Sequence, residues 1–165
     1  MRHIAILDKA YTQLNFPFTH GVTTEKIIDE SAKLALADYI FSCSPITTQS
    51  MLSNGISPHK LPQTSYGLSA QSIIDGVYSK EPIPNKTPTF IFVGSISVRK
   101  GVHLLLDYWV KAKLNAKLQL VGIIEPAIMP LVEQYLKQDN IEHISYTFDL
   151  SNIYKNADVF VLPSL

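Results

Sequence analysis

Apolar residues recur at helical spacing between Thr23 and Ala37, where Ile27, Ile28, Ala32, Leu34, Ala35 and Leu36 alternate with Glu25, Lys26, Asp29, Glu30 and Lys33. The pattern predicts a helix with one buried face, capped by Thr23 or Thr24, its first-turn acids favoured by the helix dipole. The apolar run Tyr39 to Phe41 then predicts a short strand. Ser44-Pro45 opens a second helix that closes near Asn54-Gly55, and Leu61 to Ser65 predicts another strand, stopped at Tyr66-Gly67.

From Gly76 to Pro88 the composition changes to Ser, Lys, Glu, Asn and a cluster of prolines at 82, 84 and 88. Such a stretch reads as a linker or an exposed crossing between two lobes. Beyond it the alternation becomes regular. It predicts a strand at Thr89 to Val93, a helix from Lys100 to about Ala112, a strand at Lys117 to Val121 and a helix from Pro126 to about Lys137. A strand at His143 to Phe148, a short helix at Leu150 to Asn156 and a strand at Asp158 to Leu162 follow. Strands separated by helices of this length pair in parallel with right-handed crossovers. Phe90-Ile91-Phe92-Val93, Leu118-Gln119-Leu120-Val121 and Val159-Phe160-Val161-Leu162 are nearly continuous apolar runs, as required when helices cover both faces of a sheet. The fold class is therefore α/β, a Rossmann-like parallel sheet. Three regions are expected: a first lobe over residues 1–75, a linker over 76–88 and the first half of a second lobe over 89–165.

Composition narrows the function classes. Lysine plus arginine equals aspartate plus glutamate at 14 each, so no overall field favours nucleic acid or an anionic membrane, and any phosphate binding has to be local. The only cysteine, Cys43, has no internal disulfide partner and reads as a packed strand end, consistent with a reducing cytoplasm. Met1 to Leu7 resembles a short signal, but Asp8 and Lys9 end its apolar run too early. No segment reaches the roughly 20 apolar residues needed to span a bilayer. The five histidines show no metal-ligand spacing, so no metal site is expected.

In an open parallel sheet, ligands bind outside the carboxyl ends of the strands, near the point where strand order reverses. Four segments should meet there: Gly94 to Lys100, Gly122 to Glu125, Thr147 to Leu150, and Pro163 to Leu165. Gly94 permits a sharp turn and close approach of a ligand to backbone, and Ser95 and Ser97 add hydroxyls. Arg99 and Lys100 stand at the expected start of a helix, where cations are disfavoured unless an anion joins them. That placement suits a diphosphate; the alternative is that both side chains extend into water.

Several segments, in order, resemble family 4 glycosyltransferases of the GT-B architecture. They are Ala37-Asp38-Tyr39-Ile40-Phe41-Ser42-Cys43-Ser44, Gly55 to Leu61 with Tyr66-Gly67, and Phe92-Val93-Gly94-Ser95 with Arg99-Lys100-Gly101-Val102. Leu120-Val121-Gly122 follows, and Tyr154-Lys155-Asn156-Ala157-Asp158 leading to Leu162-Pro163-Ser164 is the most specific. The resemblance implies a retaining transferase whose first lobe holds the acceptor, of glycan or lipid-linked kind, and whose second holds a nucleotide-sugar donor. The donor is a substrate, and no cofactor is implied. Lys100 would stabilise the departing diphosphate, a term that grows towards the transition state, with Arg99, Gly94 and Ser95 completing the phosphate site. Gly122, Ile123, Thr147 and Phe148 would border the nucleobase, and Pro163 and Ser164 would lead into the sugar site.

The chain departs from the family in two places. Ser95 stands where many members carry arginine, and the acidic-glycine motif that follows Leu-Pro-Ser in the family does not occur. The resemblance therefore implies a piece truncated at both ends, inactive alone, in the cytoplasm or at the inner membrane face. The rival from the residues themselves is a noncatalytic nucleotide- or phosphate-binding module. His20 compares with a first-lobe histidine of some members but reads better as a loop residue. Asp158 reads as structural, Glu125 stays open, and Tyr108 and Trp109 read as core or edge.

Overall fold

The computed structural model describes residues 2–16, 20–67 and 86–165, which fall into two compact units, Met1–Gly21 with Ile83–Leu165, and Val22–Pro82. The larger unit is built on four parallel strands, β1 (Thr89–Val93), β2 (Lys117–Val121), β3 (Ile141–Ile144) and β4 (Val159–Phe160), ordered β3-β2-β1-β4. Phe92 pairs with Leu120 and Leu120 with His143, so the apolar runs lie in register across the sheet.

The helices of this unit are α1 (Arg2–Gln13), α4 (Val102–Ala112), α5 (Met129–Tyr135) and α6 (Leu150–Asn156). The helices α4 and α5 pack against each other, and α6 lies in the return from β3 past β2 and β1 to β4. Alternate residues of the strands, Phe92, Leu118 and Leu120, join Val102, Leu106 and Trp109 of α4 and Val132 of α5 in one core. The order reverses at β1, whose neighbours are β2 and β4. The expected α/β, Rossmann-like sheet is thus present.

Several expected boundaries shift, each for a local reason. The helix expected from Lys100 begins at Val102, because Gly101 takes a left-handed conformation (φ 70°) that a continuing helix excludes. That expected from Pro126 begins at Met129, which puts Pro130 in the first turn, where its missing N–H costs nothing. The third strand ends at Ile144, opposite Val121, where its carbonyl accepts from Gly122 N–H (2.9 Å) and Gly122 takes φ 139°. β4 continues by one bond, Val161 N–H to the Ile91 carbonyl, before Pro163, which lacks a donor.

Residues 1–21, expected with the first lobe, fall in the same compact unit as the sheet. The first residues, expected only as an interrupted signal-like run, form α1, which buries Leu7, Ala10 and Tyr11, and the last two join the core of the sheet unit. Their spacing of three and four residues is the helical signal that the run contained. Of the expected linker, residues 76–85 lie outside the described residues, and Lys86 to Pro88 lead into β1.

The smaller unit contains α2 (Thr24–Leu36), α3 (Pro45–Ser53) and a 3-10 turn at Pro58–Lys60. Thr23 and Ser44 cap the two helices, each accepting from the N–H three residues on. Lys60 Nζ donates to the carbonyls of Ala35 (2.8 Å) and Ala37 (2.7 Å), placing a cation at the negative end of α2. The expected strands at Tyr39 to Phe41 and Leu61 to Ser65 reduce to one bridge between Ser42 and Gln63 and a bond from Ile40 N–H to the Lys60 carbonyl. Two segments alone are too short a ladder to persist as a sheet. The buried face expected of α2 is not buried: none of its residues is enclosed, and Leu36 is 85% exposed. Cys43, expected as a packed strand end, is half-buried beside Thr47. No helix among the described residues is long and apolar enough to cross a membrane.

Candidate functional site

Beyond their last ladder pairs, β1 and β2 stay together as loops. Gly94 N–H donates to the Val121 carbonyl (2.9 Å), Ile96 N–H to that of Ile123 (2.9 Å), and Glu125 N–H to that of Ile96 (3.0 Å). Ile96, Ser97 and Val98 are fully buried, so the loop following β1 is a packed extension of the sheet. Gly94 and Gly122 have φ of 145° and 139°, and a β-carbon on Gly122 would overlap the Gly94 carbonyl oxygen. His143 Nε2, on β3, donates to the Gly122 carbonyl at 2.8 Å.

This backbone floor carries a cavity of about 310 Å³ outside the carboxyl ends of β1, β2 and β3, lined by Val93, Gly94, Ser95, Val121, Gly122, Ile123, Tyr146, Thr147 and Leu150. It brings together five of the residues singled out from sequence: Gly94, Ser95, Gly122, Ile123 and Thr147. Phe148 is not in the wall and stands exposed beside Tyr146. Leu150, at the end of the expected Thr147 to Leu150 segment, also lines the cavity, and Tyr146 is a lining residue that sequence reasoning missed. Tyr146 was hidden inside the expected third strand, and only the early end of that strand turns it into loop.

A second group lies at the reversal of strand order, between β1 and β4. Gly101 faces Pro163 so closely that a β-carbon there would overlap the Pro163 carbonyl, and Leu165 N–H donates to the Arg99 carbonyl at 3.1 Å. Arg99, Lys100, Pro163 and Ser164 belong to this group, and none of them lines the cavity. Lys100 is half-buried, its N–H donating to Ser97 Oγ (3.2 Å), while Arg99 is exposed. Both precede the first turn of α4.

Arg99 also acts on Tyr11 of α1. Burial raises the Tyr11 hydroxyl above its ordinary range, the neighbouring Glu125 carboxylate raises it further, and the Arg99 charge opposes them. Tyr11 Oη donates to Glu125 Oε2 at 3.5 Å, a long bond. Glu125, left open from sequence, is thus engaged with α1. His20 pairs with Asp8 (2.9 Å) and meets the Tyr11 ring edge-on. Asp158 accepts from Thr89 N–H (2.8 Å) and pairs with Lys86 (3.2 Å), a structural tie between the starts of β4 and β1.

The part of the chain that builds both groups coincides with a family match: the model of glycosyl transferases group 1 covers residues 77–165. The chain belongs to the group 1 glycosyl transferases. No curated protein matches it by sequence. Among solved structures, it is similar to Anabaena Alr3699/HepE in complex with UDP-glucose, with 15% identity and a TM-score of 0.66 over 86% of this chain and 43% of that one. It is also similar to a glycosyltransferase from Rickettsia africae ESF-5, with 18% identity and a TM-score of 0.64 over 88% and 43% of the two chains. A third is the lipopolysaccharide outer core galactosyltransferase WaaB, with 18% identity and a TM-score of 0.61 over 77% and 37%. At such identities the likeness establishes the group 1 fold. The chain spans about two fifths of the length of these relatives.

Proposed function

We propose that the chain is the part of a family 4 glycosyltransferase that spans the end of its acceptor lobe and the first half of its donor lobe, the enzyme being a retaining hexosyltransferase that takes sugar from a nucleotide-sugar and passes it to a glycan or lipid-linked acceptor. The observation that carries this reading is the backbone-floored cavity at the tips of three parallel strands, inside the segment that matches the family. The complex of the Anabaena relative with UDP-glucose supports a nucleotide-sugar as the ligand class.

In this reading Gly122, Ile123 and Thr147 border the base, with Phe148 at the mouth. The diphosphate runs over Gly94 and Ser95 towards the strand-order reversal. There Lys100 and Arg99 offset its charge, and Pro163 and Ser164 border the sugar. Lys100 stabilises the leaving diphosphate as negative charge grows on it. The donor is consumed as substrate and no cofactor takes part. The protein acts in the cytoplasm or at the inner membrane face.

A second reading, a noncatalytic nucleotide-binding module, is favoured by one feature: the cavity residues include no carboxylate and no histidine to move a proton. We accordingly expect this chain to bind donor without transferring sugar by itself.

Calorimetric titration with UDP tests the site. A charge-assisted contact to phosphate predicts that Lys100→Ala weakens UDP roughly tenfold. Equal affinity in the two proteins would remove Lys100 from the site, and transfer from labelled UDP-glucose by this chain would overturn the expectation that it binds without transferring.

A further inference from the structure

Gly122 follows β2 onto the floor of the cavity, and the chain on either side of it is pinned. Its N–H donates to the Ile144 carbonyl (2.9 Å), and the Ile123 carbonyl accepts from Ile96 N–H (2.9 Å). The Gly122–Ile123 peptide between them has one hydrogen bond among the described residues, from His143 Nε2 to the Gly122 carbonyl at 2.8 Å. Glycine has no β-carbon to restrict the rotation of that peptide. A carbonyl only accepts, so the bond places a proton of the His143 ring on Nε2.

The direction of this bond decides which way the peptide faces. His143 is paired with Leu120, so both side chains stand on the face of the sheet where Leu118 and Leu120 join α4 and α5 in the core. Val93 and Val121, the strand residues of the cavity wall, alternate to the opposite face, and His143 is not in that wall. In a planar trans peptide the C=O and N–H point in opposite directions. With the Gly122 carbonyl drawn to the His143 side, the Ile123 N–H is directed to the cavity side. The next rung of a regular ladder, Ile123 N–H to the Gly94 carbonyl, is not formed, and this N–H has no hydrogen-bond partner among the described residues.

We propose that His143 is a positioning residue that holds the Gly122–Ile123 peptide in one orientation, keeping the Ile123 N–H turned into the cavity as a hydrogen-bond donor to the nucleotide-sugar. The inference rests on the nucleotide-sugar reading above and adds to it a side chain outside the cavity wall that sets the polarity of its floor. Without the His143 bond the peptide is free to turn over, and it then presents an acceptor where the ligand meets a donor.

The test is calorimetric titration of the full chain with UDP in wild type, His143→Ala and His143→Gln, with urea midpoints to follow folding. His143→Ala is expected to weaken UDP roughly tenfold, the scale of one hydrogen bond lost. His143→Gln restores an N–H donor without the ring and should bind like wild type, whereas a merely structural role for the imidazole would weaken both variants alike. In amide spectra of the wild-type chain, which depend on no variant folding, the Ile123 proton should exchange readily with water before UDP is added, then shift downfield and become protected. Wild-type affinity in His143→Ala, equal weakening in both variants, or an Ile123 amide indifferent to UDP would overturn the inference and leave the nucleotide-sugar reading standing. Failure of the wild-type chain to bind UDP would overturn that reading and the inference with it.

Discussion

Gly122 lies against the carbonyl of Gly94 with no space for a β-carbon between them, and it does so at φ 139°, where L side chains are strained. Gly122→Ala therefore combines overlap with backbone strain. The expected cost is about 2 kcal/mol or more, measured as a lowered urea midpoint followed by the fluorescence of the single tryptophan. An unchanged midpoint would mean that the two loops can separate freely.

Trp109 is buried in α4 and meets Phe90 of β1 with ring centroids 5.2 Å apart at 70°. Trp109→Ala should cost about 3–5 kcal/mol. Trp109→Phe keeps the aromatic contact and removes an indole N–H that has no hydrogen-bond partner among the described residues. It should retain most of the stability, and thermal melts followed by circular dichroism would compare the two variants.

His103 is buried with no hydrogen-bond partner for Nδ1 among the described residues, and desolvation holds its pKa below the ordinary value. A depressed folded pKa means that the unfolded chain takes up the proton first. The neutral ring's contribution is thus intact above pH ~6.5 and is lost as pH falls from there through the folded pKa, at no more than about 1.4 kcal/mol per pH unit. His103→Leu should flatten that part of the stability profile, as read by urea midpoints across pH 5 to about 8.

Asp158 joins the start of β4 to β1 by accepting from Thr89 N–H at 2.8 Å. Asp158→Ala should cost about 1 kcal/mol by leaving that donor without its acceptor. Asp158→Asn keeps an acceptor oxygen and gives up the Lys86 ion pair, which at an exposed site contributes about 1 kcal/mol at most. Urea midpoints of the two variants should therefore bracket the hydrogen bond.

The central strands were legible because they are largely covered, whereas β4, read from the same kind of apolar run, has Val159 and Phe160 exposed. Phe90 to Val93 and Leu118 to Val121 are continuous apolar runs, and their observed limits match the pattern within a residue. Tyr39 to Phe41 has the same local character but no neighbouring strand, so the same composition gave a single bridge. At the site, Gly94 was read as a turn and is one, whereas Gly101 was read inside a helix that begins only after it. What the sequence did not disclose was long-range: the close approach of Pro163 that sets the start of α4, and the early end of β3 that releases Tyr146 into the cavity wall. Glycine and proline act locally and can be read in one dimension, whereas the partner that each glycine accommodates lies 28 residues upstream or 62 downstream.

Gly101 against Pro163, together with Leu165 N–H on the Arg99 carbonyl, has a mechanical consequence. The turn bearing the two basic residues and the strip of chain leaving β4 are clasped, so neither can be displaced without dragging the other. A spin label at Ser164 would therefore register events at Lys100 through the main chain, without touching the ligand.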